Sequence, residues 1–154
     1  MKNKLFVLLI LLSQSAFGQV PDMPLKKLDG TVHQLSDYQG NWIIVNYWAT
    51  WCPPCIAEMP DLQDFHDKHA DNGAVVIGIN VETAPRELIE EFLDTYFITY
   101  PNYSAPLAQS SALGSIPGLP TTFLVSPEGK VAARQVGGVT SEMIESFIKN
   151  WKAK

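Results

Sequence analysis

The sequence predicts an α/β fold, with a central mixed sheet flanked by helices, on three observations. Two short, nearly continuous apolar runs at 42–49 and 74–80 have the character of strands buried on both faces. Segments with helical spacing of apolar residues lie between and after them, the alternation of an α/β sandwich. Two more strand-like runs, 121–126 and 130–137, flank the turn Pro127-Glu128-Gly129 and should pair, which makes the sheet mixed rather than wholly parallel.

Residues 1–18 stand outside that fold. Lys2 and Lys4 give a basic start, Leu5 to Leu12 is uninterrupted apolar sequence, and Ala16-Phe17-Gly18 puts small residues at cleavage-site spacing. This is the three-part pattern of a secretory signal peptide. A retained membrane anchor is the alternative, but a span needs about 20 apolar residues, and Ser13, Gln14 and Ser15 break this run. Residues 19–154 then form one domain, expected to be a periplasmic monomer. Loss of Lys2 and Lys4 takes the 11 basic residues to 9 against 16 acidic ones, a net charge of −7. No basic run is present, which excludes nucleic acid as a partner.

Within the domain, the turn-rich segment 20–40 is expected to hold a β-hairpin around Asp29-Gly30. After the strand at 42–49, a helix runs from beyond Cys52 to about His69. Its residues Ile56, Met59, Leu62 and Phe65 form a core-facing stripe, and Pro60 inside it should kink it. Asn72-Gly73 ends this helix ahead of the second buried strand. Pro85 opens another helix, with Leu88, Ile89, Phe92 and Leu93 inward. Residues 98–103 are expected as a strand weakened by Pro101, and 110–114 as a short helical turn. Residues 140–151 close the chain as a helix with Met143, Ile144, Phe147 and Ile148 inward.

The chemistry is carried by Trp51-Cys52-Pro53-Pro54-Cys55, which holds the chain's two cysteines at the seam between the first buried strand and the helix. Backbone N–H groups at a helix start lack intrahelical partners and carry partial positive charge, so a thiolate set against them is stabilised. Cys52, at the terminus, is expected to be the more exposed thiol and the attacking nucleophile. Cys55, one turn in, resolves the mixed disulfide. Pro53 and Pro54 stiffen the turn. No histidine or lysine lies between the thiols to stabilise a thiolate further, so the couple is expected at or below about −200 mV. A single Cys-x-x-Cys closes too small a loop to act as a structural staple.

A zinc site from Cys52, Cys55, His66 and His69 is the competing arrangement. His66 lies eleven residues beyond Cys55 on one helix, about 16 Å away, against zinc bond lengths of about 2.0–2.3 Å. His66 and His69 are therefore read as solvated helix residues, and no metal or cofactor is expected. Glu58 shares a helix face with Cys52 and Cys55. Buried there it would titrate high and exchange protons with Cys55; an ordinary exposed acid favoured by the helix dipole is the alternative. Glu82, just past the second buried strand, is a weaker candidate for that role. Pro120 directly precedes a strand, and chain physics alone favours a trans bond there, since about 5–6% of X–Pro bonds are cis.

The run 45–55, then Glu58 and Pro60, then Leu119-Pro120-Thr121-Thr122-Phe123-Leu124 and Glu128-Gly129-Lys130, resembles the TlpA-type branch of the thioredoxin superfamily across roughly 25–151. The resemblance implies a thioredoxin-like fold with a βα insertion, supplied by residues 74–103. It implies a cis Pro120 packed against the disulfide, leaving the Leu119 backbone free to pair with a substrate strand. Trp51, Leu119 and Pro120 become the expected substrate-binding residues, and Glu58 matches the acid beside the resolving cysteine. Where thioredoxin itself has a buried aspartate, this chain has Asn46, which cannot exchange protons. The implied activity is reduction of disulfides in periplasmic proteins such as apocytochrome c, with electrons from a membrane-bound donor. A thiol peroxidase and a copper-delivery protein are the alternatives. Arg86 and Arg134, the arginines a peroxidatic pocket would need, lie far from the thiols in sequence, and no third copper ligand is evident near them.

Overall fold

The computed structural model describes residues 20–106 and 110–152; the signal peptide read at 1–18 lies outside them. In chain order the elements are β1 (Pro24–Lys26), β2 (Val32–Gln34), a single 3-10 turn (Leu35–Tyr38), β3 (Trp42–Trp48), α1 (Pro53–His69), β4 (Ala74–Asn80), α2 (Arg86–Thr95), β5 (Asn102–Ser104), β6 (Ser110–Ser111), β7 (Gly114–Ser115), β8 (Thr121–Val125), β9 (Val131–Val136) and α3 (Ser141–Asn150). Five strands form the central sheet in the order β5-β4-β3-β8-β9. β3, β4 and β5 are parallel, whereas β8 runs antiparallel to β3 and β9 antiparallel to β8, so the sheet is mixed as expected. The β4-α2-β5 crossover fills the segment expected to hold the βα insertion.

The two central strands are buried along their whole length because both faces of the sheet are covered. Side chains alternate across a strand, and two clusters result. Ile44, Trp48, Val76 and Leu124 pack with Met59, Leu62 and Phe65 of α1, Ile89 and Leu93 of α2, and Ile144 of α3. Ile43, Val45, Tyr47, Ile77, Ile79 and Phe123 form the opposite cluster. This second cluster contains no α-helical residue. It is closed by Val20, Met23 and Leu25, by Leu35 of the 3-10 turn, and by Leu113 and Ile116. All three described α-helices thus contribute to one face, and the amino-terminal hairpin serves as the lid of the other. The hairpin turns at Asp29-Gly30 as expected, with Gly30 at φ 90° and the Asp29 carboxylate accepting from Thr31 N and Oγ1 at 2.9 and 2.7 Å.

Several local expectations are corrected. Residues 110–114 are not a helical turn but the β6–β7 ribbon, because Leu113 dips into the second cluster and Gly114 takes φ 139°. The strand expected at 98–103 is shorter and later: Pro101 has no N–H for a ladder, and its carbonyl accepts from Gly78 N at 2.8 Å. Leu88 and Met143 face outward, each 48% exposed, and Ile56 is half-buried. Gly78 has a specific reason. A Cβ there would run into the Asn102 side chain, which accepts from Trp48 Nε1 at 3.0 Å across the strand.

Candidate active site

α1 begins where β3 ends, and that junction carries the cysteines. Cys52 is the N-cap residue, with Pro53 and Pro54 at the first two helical positions. Both prolines fit there because their missing hydrogens would be unpaired anyway. They also thin out the donors at this helix start. Ile56 N already bonds the Cys52 carbonyl at 3.1 Å, which leaves Cys55 N–H as the unpaired amide of the first turn for the Cys52 sulfur. Cys52 and Cys55 are joined as a disulfide with Cα atoms 5.3 Å apart. Cys52 is the more exposed of the pair by a narrow margin, 3% against 0%. In this oxidised state neighbouring apolar side chains cover both residues. Trp51, 67% exposed, meets solvent at this corner together with Pro53 and Pro54.

The loop leading into the pair is tied down by Glu82. Its Oε2 accepts from Thr50 N at 2.7 Å and from Asn80 Nδ2 at 2.8 Å, and its Oε1 accepts from Thr50 Oγ1 at 2.8 Å. Glu82 thus clamps Thr50 and Asn80 by accepting three hydrogen bonds. Cys52 N bonds the Ala49 carbonyl at 3.2 Å, which completes the turn.

Glu58 lies one turn beyond Cys55 on the buried side of α1 and is 3% exposed. Its Oε1 accepts from Asn46 Nδ2 at 2.7 Å, and its Oε2 accepts from Val139 N at 2.8 Å. Burial raises the carboxyl from its ordinary 4.5 to about 7, against the opposite pull of the hydrogen bonds from Val139 and Asn46; Asp61 adds a smaller upward push. A group that gains or loses its proton near neutrality, one helical turn from Cys55, suits general acid–base work. Asn46 Nδ2 donates a second bond to Thr122 Oγ1 at 3.0 Å. Tyr100, another member of the helix-side cluster, is pushed up by burial and then by the Glu58 charge, so its hydroxyl stays protonated.

The Leu119–Pro120 bond is cis, which corrects the expectation from chain physics and agrees with the family resemblance. Pro120 is buried at the head of β8, and its carbonyl accepts from Gly137 N at 2.9 Å. Leu119 is half-buried and packs against the cluster that contains both cysteines. His66 and His69 are half-buried and partnered rather than freely solvated. His66 Nδ1 accepts from Val76 N at 3.3 Å, with its pKa lowered by burial, and His69 Nε2 lies 3.1 Å from Glu145 Oε1. Both are structural ties from α1 to its neighbours. Arg86 Nε pairs with Glu90 Oε1 at 2.7 Å on α2, and Arg134 Nη1 donates to the Ser115 carbonyl at 3.3 Å. Among the described residues no three His, Cys, Asp or Glu side chains gather as a metal site.

Thr122 and the Val139 N–H escaped the sequence reading. Thr122 was findable as a polar residue on a strand buried along its whole length; Val139 contributes a backbone atom, and its one signal is the preceding Gly137-Gly138.

A Cys-x-x-Cys pair heading the helix that follows the central strand of this mixed sheet defines a thioredoxin-like thiol–disulfide oxidoreductase. Comparison with known proteins agrees, and the chain belongs to the AhpC/TSA family, whose model matches residues 18–134. It is 30% identical over 134 residues to the thiol-disulfide oxidoreductase ResA of Oceanobacillus iheyensis, covering 84% of this chain and 69% of that one. It is 33% identical over 132 residues to ResA of Geobacillus thermodenitrificans, covering 86% and 75%. Among solved structures, a DsbF homologue from Corynebacterium diphtheriae superposes with a TM-score of 0.76 at 29% identity, covering 86% of this chain and 85% of the other. A thioredoxin-family thiol:disulfide interchange protein from Chlorobium tepidum gives 0.73 at 28%, covering 86% and 94%.

Proposed function

We propose that the chain is an exported protein-disulfide reductase that uses Cys52 to attack, Cys55 to resolve and Glu58 to manage the proton. The thiolate of Cys52 attacks one sulfur of a substrate disulfide. A Cys52–substrate bond forms, and the second substrate sulfur leaves as a thiolate that takes up a proton. Cys55, its proton passed to Glu58, then attacks Cys52 Sγ. The Cys52–Cys55 bond forms, and the first substrate sulfur departs. The substrate gains two electrons and two protons, and the protein's dithiol loses both. A membrane-bound dithiol donor restores the reduced state. The substrates are exported proteins with cysteine pairs, such as apocytochrome c, and the site of action is the periplasm, where the protein works as a monomer. Trp51 and the Leu119–Pro120 segment receive the substrate, with backbone pairing along Leu119 as the recognition mode.

The observation that carries this assignment is the buried Glu58 one turn from a buried Cys55, a proton acceptor held where the resolving thiol has no solvent of its own. The export step is supported by the basic, apolar and small-residue order of residues 1–18. The decisive experiment is capture. Cys55→Ser expressed with its leader should accumulate a mixed disulfide through Cys52 with a cysteine-pair protein of the periplasm, identified by mass spectrometry, and Cys52→Ser should capture nothing. Full turnover by Cys55→Ser would reverse the assigned roles. Peroxide consumption without protein-disulfide reduction would replace the proposed activity with a peroxidase.

A further inference from the structure

Asn46 sits in the middle of β3, fully buried, and its amide nitrogen is shared between two oxygens, Glu58 Oε1 at 2.7 Å and Thr122 Oγ1 at 3.0 Å. Its own Oδ1 is buried and has no hydrogen-bond partner. A buried amide whose oxygen goes unsatisfied is expensive, and an apolar residue of similar volume would fill the same space without that cost. What the amide provides is its two N–H donors, aimed at Glu58 and at the strand that follows Pro120. An N–H donated to a carboxylate favours the ionised form. We propose that Asn46 is a positioning residue: it holds the Glu58 carboxylate on the Cys55 face of α1 and sets the pH range over which Glu58 can accept the Cys55 proton, with Thr122 fixing the amide in the donating orientation.

This inference deepens the proposed function and rests on it for the link to exchange. Of the other groups around Glu58, the backbone N–H of Val139 also favours the ionised carboxylate, but it belongs to the main chain and bonds the other oxygen. On α1 itself, Asp61 raises the carboxyl and Cys55 is the thiol it serves; the loop before β5 brings Tyr100, whose hydroxyl stays protonated. β8 contributes the neutral Thr122 by way of Asn46, and the turn before α3 contributes the Val139 N–H. Asn46 is the side-chain donor to this carboxylate.

The first test uses the wild-type protein without substrate. In a nuclear magnetic resonance titration of the oxidised chain, the Asn46 side-chain amide resonances should move with the same midpoint as the Glu58 carboxyl carbon. An amide that stays flat while Glu58 titrates overturns the proposal. The second test follows alkylation of Cys55 against pH in the reduced protein. Asn46→Leu removes the donor and should move the Glu58-dependent step upward by about one pH unit or more. Asn46→Asp sets a second carboxyl against the first and should split the step in two, with one part displaced further upward. Thr122→Val should shift it upward by less. Unchanged profiles in natively folded Asn46→Leu and Asn46→Asp also overturn the proposal. Failure of the underlying function is a different result: Asn46 and Glu58 titrate together, yet Glu58→Gln leaves the Cys55 profile as it was.

Discussion

Glu58 shows how one buried group ties stability to chemistry. Its carboxyl is raised from 4.5 to about 7, so between those values the folded protein holds a proton that the unfolded chain has released. The contribution is fully present below pH 4.5 and is lost as pH rises through about 7, an effect on the order of 3 kcal/mol. Denaturant titrations at pH 4.5 and pH 8 should therefore show a stability difference in the wild type that shrinks by roughly that amount in Glu58→Gln. A slope of equal size in both proteins would mean that Glu58 ionises normally. Pro54 offers a second residue-level test. Pro54→Ala restores an N–H to a helix start that has few to offer. The added donor should lower the Cys52 thiol pKa by about 0.2–0.7 units and make the couple more oxidising, measurable by iodoacetamide kinetics and a glutathione redox titration.

At the scale of elements, the end of α2 is the clearest local conflict. Phe97 N bonds the Asp94 carbonyl at 3.1 Å and Ile98 N bonds the Leu93 carbonyl at 2.9 Å. That is the Schellman closure, which places its C′ residue in the left-handed region and normally employs glycine. Here the residue is Phe97, at φ 55° and 83% exposed. Phe97→Gly should relieve the crowding while sacrificing little buried area, raising stability by about 1 kcal/mol in thermal unfolding. The same region shows what the sequence could and could not disclose. α1, β4, β8, β9 and α3 were readable to within a residue or two, because apolar runs, caps and turn residues all agree there. Leu88 and Met143 belong to helical patterns but fall outside the stripe that reaches the sheet, and a four-residue apolar cluster on a ten-residue helix does not say which member is left out. The β6–β7 ribbon was missed because its pairing serves the burial of Leu113, a tertiary demand that no local propensity records. At the active site the thiols were legible from spacing alone and Glu58 from spacing together with the family resemblance, whereas the Thr122 contact needed the register of β8 against β3, in which Asn46 faces Thr122.

For the whole molecule, the division of labour between the two faces of the sheet matters most. The helix-side cluster holds the cysteines, and the opposite cluster holds the hairpin lid. Leu25 is 2% exposed in that lid, so Leu25→Ala should cost about 2–5 kcal/mol in urea denaturation while leaving the redox midpoint in place. A changed midpoint would show that the two faces communicate. The lid also begins very early in the chain. Val20 is 5% exposed and already part of the core, and a leader ending at Gly18 leaves Gln19 alone between the cut and that seated side chain. A peptidase cleft must grip several extended residues on both sides of the bond it cuts. On the proposed export route, processing at Gly18 would have to finish before Val20 docks, so maturation and folding would be ordered in time.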